Sequence, residues 1–80
     1  MNISAPILNS DAIDVEMTET SLKVTLADGR ELTAPIEWFP RLRDATSDQR
    51  RHWRLIGGGE GINWPDLDED IAVSTLLRPK

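Results

Sequence analysis

Three consecutive stretches between residues 12 and 36 alternate apolar with polar residues, and this pattern constrains the fold more than any other feature of the sequence. The apolar positions in the three stretches are, in order, Ile13, Val15 and Met17, then Leu22, Val24 and Leu26, then Leu32, Ala34 and Ile36. Successive side chains of a strand point to opposite sheet faces, so each set covers one face. Asp28-Gly29 separates the second stretch from the third and is a strong hairpin signal, because glycine adopts positive φ. The sequence therefore predicts a three-stranded antiparallel meander over 12–36.

Residues 38–45 carry a different, helix-like pattern. The apolar residues at helical spacing in this stretch are Trp38, Phe39, Leu42 and Ala45. Pro40 is compatible with a helix only in its first turn, where a missing N–H group removes no helical hydrogen bond. We therefore expect a short helix over 38–45 that covers the sheet. Thr46 or Ser47 is then a suitable N-cap for one further turn that ends near Arg50.

The C-terminal part of the chain predicts a second hairpin and a terminal helix. Residues 51–56 and 61–64 return to alternation, and the glycine-rich segment 57–61 forms a flexible connection between them. The acids of 66–70 suit the N-terminus of a helix, where the macrodipole favours negative charge. The apolar stripe of that helix consists of Ile71, Val73, Leu76 and Leu77. The predicted fold class is α+β: an antiparallel three-stranded meander plus a second short hairpin, with two short helices.

The size of the chain limits how this fold can be stabilised. Eighty residues make one domain, near the lower limit for a hydrophobic core without covalent or metal cross-links. The sequence contains no cysteine, so disulfides and thiolate metal sites are excluded. We expect a single domain over 1–80, with an N-terminal extension over 1–11 and a folded core over 12–77. No signal-peptide pattern and no apolar run of about 20 residues is present, so we expect a cytoplasmic protein without membrane contact.

Charge is unevenly distributed along the chain, whose net charge is −5. Residues 1–40 carry −5, residues 41–54 carry +3 and residues 55–80 carry −3. An acidic protein lacks the broad basic field that drives binding to nucleic acid through counterion release. The sequence therefore favours a protein partner over a nucleic acid.

The acids near the C-terminus resemble part of a calcium loop, but the match fails. Asp66, Asp68 and Asp70 have the spacing of the first three ligands, whereas Ile71 and Leu77 stand where the loop requires glycine and a bidentate glutamate. Helix capping and solvated charge explain the acids better. We expect no metal and no cofactor.

No pattern in the sequence predicts a catalytic centre. The glycine-rich segment 57–61 leads into a strand-like stretch that ends at Pro65, whereas a phosphate-binding loop leads into a helix. His52 is the single histidine, and its neighbours Arg51 and Trp53 include neither a nucleophile nor an orienting carboxylate. We therefore expect a protein that is not an enzyme.

An arginine-rich stretch is the strongest candidate for a binding surface. Its five arginines are Arg41, Arg43, Arg50, Arg51 and Arg54. They are interleaved with Trp38 and Trp53, while Trp64 is more distant, and tryptophan and arginine are enriched at interface hot spots. One hypothesis is a partner-binding face made of these arginines. The alternative is that the tryptophans form the core and the aliphatic stems of the arginines pack on their edges.

The chain from residue 38 onward resembles a known family. The matching stretches are W-F-P-R-L at 38–42, W-R-L at 53–55 and W-P-D-L-D-E-D-I-A-V at 64–73, followed by two leucines at 76–77. They resemble the bacterial family called domain of unknown function 2442, whose most specific motif is the ending W-P-x-L-D-E-D-I-x-V-x-x-L-L. The preceding strands and the Asp28-Gly29 turn also suit this family, so the resemblance covers almost the whole chain past residue 12.

The resemblance implies a small α+β domain that occurs alone or joined to a helix-turn-helix DNA-binding domain. Members are often encoded beside another short protein, in an arrangement similar to toxin–antitoxin pairs. The resemblance transfers no activity, catalytic residue or cofactor. This chain is too short to include the helix-turn-helix domain, so we expect no direct binding to nucleic acid.

We expect a structural role for the C-terminal motif. Its residues are Trp64, Pro65, Leu67, Asp68, Glu69, Asp70 and Ile71. The carboxylates of Asp68 and Asp70 are expected to cap backbone N–H groups and to meet arginines of the strand at 50–54. The apolar residues of the motif are expected to seal the sheet.

Three hypotheses for the function follow. The leading one is a cytoplasmic protein-binding module with a small protein partner, the antitoxin-like member of a two-protein system. The alternative is a structural or regulatory homo-oligomer that associates through a strand edge or a tryptophan face. The third is a metal- or small-ligand-binding domain, or an enzyme, that uses the acids at 66–70.

Overall fold

The computed structural model describes residues 8–78, and this range contains two three-stranded sheets and three short α-helices. The strands of the first sheet, in spatial order, are β1 (Ala12–Met17), β2 (Ser21–Leu26) and β3 (Glu31–Pro35). Those of the second sheet are β4 (Arg54–Ile56), β5 (Gly61–Trp64) and β6 (Glu69–Ala72). The helices are α1 (Pro40–Arg43), α2 (Ser47–Arg51) and α3 (Val73–Leu77). All neighbouring strands are antiparallel, and the α+β prediction is confirmed.

The first sheet is the predicted meander. Val15, Val24 and Leu32 lie opposite one another across its three strands and share the face that contacts the core. The turn between β2 and β3 is the predicted one: Gly29 has φ +96°, and its N–H donates to the carbonyl of Leu26 at 3.0 Å.

One apolar residue of this sheet was assigned to the wrong face. Ile13 is 55% exposed, whereas Ala12 is 1% exposed and belongs to the core. The register between β1 and β2 shifts between Ala12 and Asp14, and such a bulge reverses the facing of the residues before it. Strict alternation fails here because β1 contains an extra residue at the bulge, and the apolar–polar pattern of β1 alone does not reveal a bulge.

The predicted helix over 38–45 is divided into two shorter pieces. Residues Ile36–Trp38 form a 3₁₀ helix, Phe39 leaves the helical region with φ −128° and ψ 81°, and α1 begins at Pro40. A residue before proline is sterically pushed out of the α region, which explains the break. Leu42 of α1 is fully buried, whereas Trp38 is 41% exposed.

The predicted N-cap of the following turn is confirmed at Thr46. Its hydroxyl accepts from the N–H of Gln49 at 3.1 Å, and the side chain of Gln49 accepts from the N–H of Thr46 at 3.0 Å. This reciprocal capping box starts α2. The helix continues through Arg51, so β4 starts at Arg54 and not at residue 51 as predicted.

The terminal acids do not begin a helix, which corrects the prediction. Residues Pro65–Leu67 form a 3₁₀ helix, Asp68 turns the chain with a left-handed φ of 51°, and β6 follows with Glu69–Ala72. This strand pairs with the side of β5 that the predicted hairpin left open, and so satisfies backbone groups that an edge strand would expose. Helix α3 starts only at Val73 and has no side-chain N-cap.

The core draws buried residues from both sheets and from α1. Trp64 is its largest fully buried side chain, and the indole N–H donates to the carbonyl of Arg50 at 3.1 Å. Trp53 is half-buried against the same cluster. The prediction that the tryptophans form the core therefore holds for Trp64, in part for Trp53 and not for Trp38.

The glycine-rich turn joins the two sheets rather than extending into solvent. Gly59 is buried, has φ +114°, and its carbonyl accepts from the N–H of Ala12 at 2.8 Å. A Cβ at this position would lie 2.7 Å from the carbonyl oxygen of Ala12 and 2.8 Å from the Cβ of Asp11. Only glycine fits this contact, both in conformation and in space.

Replacing Gly59 with alanine is expected to lower the free energy of unfolding by about 2–5 kcal/mol, because the left-handed conformation and the clash with β1 add. Gly58→Ala is the matched control, since Gly58 also has positive φ (+70°) but meets no atom within 4 Å. Gly58→Ala is expected to lower the free energy of unfolding by about 1–2 kcal/mol. Urea unfolding followed by tryptophan fluorescence measures both, and equal losses would contradict the packing role of Gly59.

A carboxylate in the β2–β3 turn ties the start of the described chain to the first sheet. Asp28, whose side chain is only 5% exposed, pairs with Arg30 at 2.9 Å and accepts from the N–H of Asn9 at 3.0 Å. Arg30 in turn donates to the hydroxyl of Ser10 at 3.0 Å. Residues 8–11 of the predicted extension are thus linked to this turn, and residues 1–7 lie outside the described residues.

These contacts make the stability sensitive to acid. The side-chain hydrogen bond from Arg30, helped by the backbone N–H groups of Arg30 and Asn9, lowers the pKa of Asp28 from 3.8 to about 2. Because the pKa of Asp28 is lower in the folded protein than in the unfolded chain, its carboxylate contributes fully to stability above about pH 4. This contribution is lost as the pH falls towards 2. We expect Asp28→Asn to be less stable than wild type at neutral pH, and the difference to shrink between pH 4 and pH 2. Thermal unfolding across that range tests this, and a difference independent of pH would contradict it.

Candidate functional site

The five predicted partner-binding arginines lie on α1, α2 and β4, and each donates to an acceptor in its own chain. Arg41 donates to the carbonyl of Asp68 at 2.6 Å. Arg50 donates from Nε to the carbonyl of Leu42 at 2.8 Å and from Nη2 to the carbonyl of Arg43 at 2.7 Å. Two of the five guanidinium groups therefore hold backbone segments together.

The other three arginines are exposed and pair with side chains. Arg43 pairs with Asp44 at 3.0 Å; this contact raises the pKa of Arg43 and lowers the pKa of Asp44. Arg51 pairs with Asp48 one helical turn earlier. Exposed pairs of this kind contribute little to stability and leave their side chains accessible to a partner.

Arg54 belongs to a row of polar side chains across the second sheet. Its Nε donates to Oδ1 of Asn63 at 2.9 Å, and Nδ2 of Asn63 donates to Oδ1 of Asp70. The three residues lie opposite one another on β4, β5 and β6. Asp70 thus reaches an arginine of the predicted strand through Asn63 rather than directly.

The acids of the C-terminal motif do not make the predicted helix caps. Neither Asp68 nor Asp70 caps a helix, because α3 begins after Ala72 without a side-chain cap. Asp68 instead turns the chain and presents its carbonyl to Arg41. Trp64 and Ile71 are buried, and Leu67 packs against the core.

The single histidine lies beside a carboxylate on the surface. Nδ1 of His52 is 3.0 Å from Oδ2 of Asp66, and their side chains are 75% and 48% exposed. No hydroxyl nucleophile contacts this pair within residues 8–78. The same residues contain no group of three or more acids and histidines arranged to hold a metal ion.

A groove that the sequence did not indicate runs along the second sheet and α3. It consists of two depressions of about 310 Å³ and 460 Å³ that share Glu60 and Ala72 as lining residues. Ile56 and Gly61 contribute to the first and Leu77 to the second; Ile56 is 39% and Leu77 41% exposed. We call this surface the acidic groove, because its charged lining residues are Asp11, Glu60 and Asp70.

The carboxylates of the acidic groove are not neutralised by this part of the chain. Within residues 8–78, none of Asp11, Glu60 and Asp70 forms an ion pair. Sequence reasoning missed the groove because its residues come from three distant segments, which meet through the pairing of β5 with β6 and the hydrogen bond from Ala12 to Gly59. The charged residue Glu60 within the glycine-rich segment was the one feature of the sequence that pointed to this groove.

A smaller cleft lies between the end of β1 and α2, beside Trp53. It measures about 330 Å³, and Met17, Glu19 and Arg51 are among its lining residues. In this cleft two of the predicted arginines, Arg50 and Arg51, line the same surface as Trp53.

Comparison with known proteins identifies the family. The model of the family described as "Protein of unknown function (DUF2442)" matches residues 12–80. The chain belongs to this family. The resemblance seen in the sequence is thereby confirmed, with nearly the same boundary.

A solved structure has a similar fold. It is a crystal structure, at 2.75 Å resolution, of a protein of unknown function from Rhodospirillum rubrum ATCC 11170. The two chains are 25% identical, the match covers 84% of this chain and 83% of the other, and the TM-score is 0.70. No curated protein matches this family member. Among the described residues, no helix has the length and apolar character needed to cross a membrane.

The contacts of the arginines predict that two neighbours in α2 differ in importance for stability. Arg50→Ala is expected to lower the free energy of unfolding by about 1–3 kcal/mol, because two carbonyls of α1 lose their donor. Arg51→Ala is expected to stay within about 0.5 kcal/mol of wild type, because it removes one exposed pair. Chemical denaturation of both variants provides the comparison, and similar values would contradict the structural role of Arg50.

Proposed function

We propose that this chain is a non-catalytic, cytoplasmic protein-binding module, the antitoxin-like member of a two-protein bacterial system. The observation that carries the proposal is an imbalance in charge satisfaction. Arg43 and Arg51 form ion pairs, and Arg41, Arg50 and Arg54 donate to neutral oxygens of their own chain. Within residues 8–78 the three carboxylates of the acidic groove form no ion pair, and Asp70 accepts a side-chain hydrogen bond from Asn63. A net charge of −5 adds to this imbalance and favours a basic partner, because complementary charge speeds association.

Three further observations support binding over catalysis. The described cavities are shallow depressions rather than a cleft in which His52 and several carboxylates converge. The His52–Asp66 pair faces solvent. Large apolar side chains are exposed at Ile56 and Leu77, as expected for a surface that a protein covers.

The exposed arginines stay a candidate for a second contact surface. Arg51 lines the cleft at Trp53, Arg54 lies on β4 and Arg43 lies at the end of α1, and all three residues are exposed. A partner with its own carboxylates would compete with the weak exposed pairs of Arg43 and Arg51.

A homo-oligomer is the second candidate, and one observation favours it. Strand β4 is at the edge of the second sheet and exposes Leu55 (36%) and Ile56 (39%). An exposed apolar edge strand is a template for pairing with another chain. Its length of only three residues weakens this candidate, because short edges bury little surface.

Purification of the full chain from its native host, followed by native mass spectrometry, tests the proposal. We expect a complex of fixed stoichiometry with one small basic protein, and an affinity that falls as ionic strength rises. Recovery of the chain alone at every salt concentration would contradict the binding function. A complex that contains only copies of this chain would favour the homo-oligomer, and sedimentation over a wide concentration range would then establish its size.

A further inference from the structure

We propose that the acidic groove is the docking site, and that its occupant is a segment of a partner protein in which lysines or arginines alternate with aliphatic residues. The inference rests on the proposed binding function and adds the surface and the chemical class of the partner. The shape of the groove, its exposed apolar residues and its charge together support the inference.

The floor of the groove is suited to an aliphatic side chain. Gly61 lies in the middle of the second sheet, opposite Ile56 and Ala72; it is itself buried, and the exposed side chains of Ile56 and Ala72 form the apolar floor on either side of it. Its backbone does not require glycine, since its φ is not positive. An added Cβ would lie 3.2 Å from the carbonyl oxygen of Ile71 and 3.5 Å from Cδ1 of Ile56, which is tight but not prohibitive. Glycine in a strand interior often marks a close approach of another molecule.

The charges around this floor are suited to cationic ends. Glu60 lies between the two depressions, Asp70 flanks one of them and Asp11 the other, and no basic residue is among their described lining residues. The bond from Asn63 engages Oδ1 of Asp70, and no donor of residues 8–78 bonds to its Oδ2. Lysine and arginine side chains carry an aliphatic stem with a charged end, so they can place the stem on the apolar floor and the cation at a carboxylate.

Other occupants match this surface less well. Nucleic acid and anionic lipid present phosphates, which the three carboxylates repel. A second copy of this chain carries a net charge of −5 as well, so its overall charge opposes docking on these carboxylates. A basic segment of a separate protein is complementary in both charge and shape.

The outer face of the first sheet provides an internal control. It also carries exposed carboxylates, but Lys23 lies 3.7 Å from both Glu16 and Glu31. This outer face is a surface of hydrogen-bonded strands and is not one of the two depressions that form the acidic groove. Glu16→Gln/Glu31→Gln and Glu60→Gln/Asp70→Asn change the net charge equally, so they separate the groove from general attraction to an acidic protein.

The test uses the full chain and a capped fluorescent peptide of lysine and leucine, at physiological ionic strength. We expect saturable binding, an increase in Kd of about tenfold in Glu60→Gln/Asp70→Asn and of less than about twofold in Glu16→Gln/Glu31→Gln. A glycine–lysine peptide of equal length and charge should bind more weakly, because it has no aliphatic side chain to cover the floor. Amide chemical-shift changes should centre on Gly61, Ala72 and Ser74. Equal losses in both double variants, equal affinity of the two peptides, or shifts spread over the first sheet would overturn the inference.

If the double variant Glu60→Gln/Asp70→Asn is unstable, Ala72→Lys tests the same inference. Ala72 is exposed and lines both depressions, so a lysine there should occupy the groove and weaken peptide binding about tenfold without unfolding the sheet. Unchanged binding in a folded Ala72→Lys protein would overturn the inference. If the native complex forms with unaltered Kd in both groove variants, the groove is not the docking site, while the binding function stands. If no complex is recovered from the host, the proposed binding function itself is contradicted.

Discussion

The burial of Trp64 is the interaction on which the rest of the structure depends. The residue lies in the central strand of the second sheet, is fully buried, and binds the carbonyl of Arg50 through its indole N–H. Arg50 in turn holds the carbonyls of Leu42 and Arg43 at the end of α1. One aromatic side chain therefore fixes the second sheet and both central helices relative to the core. Truncation of a buried tryptophan typically costs about 3–5 kcal/mol, which is most of the stability of a small domain.

This arrangement explains why the arginine-rich stretch is less open to partners than its composition indicates. A short chain without disulfides has few ways to hold irregular segments, and Arg41 and Arg50 do so by donating to backbone carbonyls. Exposed arginines with intrachain partners remain on the outside, and the three carboxylates of the acidic groove are among the acids that form no ion pair within residues 8–78. The likeness to a family and a solved structure that are both of unknown function defines the fold and leaves the biological role to the surface chemistry.

Local signals in the sequence were sufficient for the first sheet and for the start of α2. Alternation identified the meander, Asp28-Gly29 identified its turn, and Thr46 was one of the two expected N-caps of α2, because each of these depends on residues close in sequence. The facing of Ile13 was wrong because β1 has a bulge beside Ala12, whose N–H donates to the carbonyl of Gly59, nearly fifty residues away. The acids at 66–70 were misassigned because their negative charge suits a helix start, while the competing pairing with β5 is a tertiary contact.

The sequence by itself determined the fold class, the family, the elements with local periodicity and the excess of acid over base. Only the tertiary structure decided which charges are neutralised, which tryptophan is buried, and where an exposed surface combines apolar and acidic groups. The physical reason is the range of the interactions. Alternation, capping and turn preferences act between neighbours along the chain, whereas burial and ion pairing depend on segments such as 11–12, 59–61 and 70–77 that meet only when both sheets have formed.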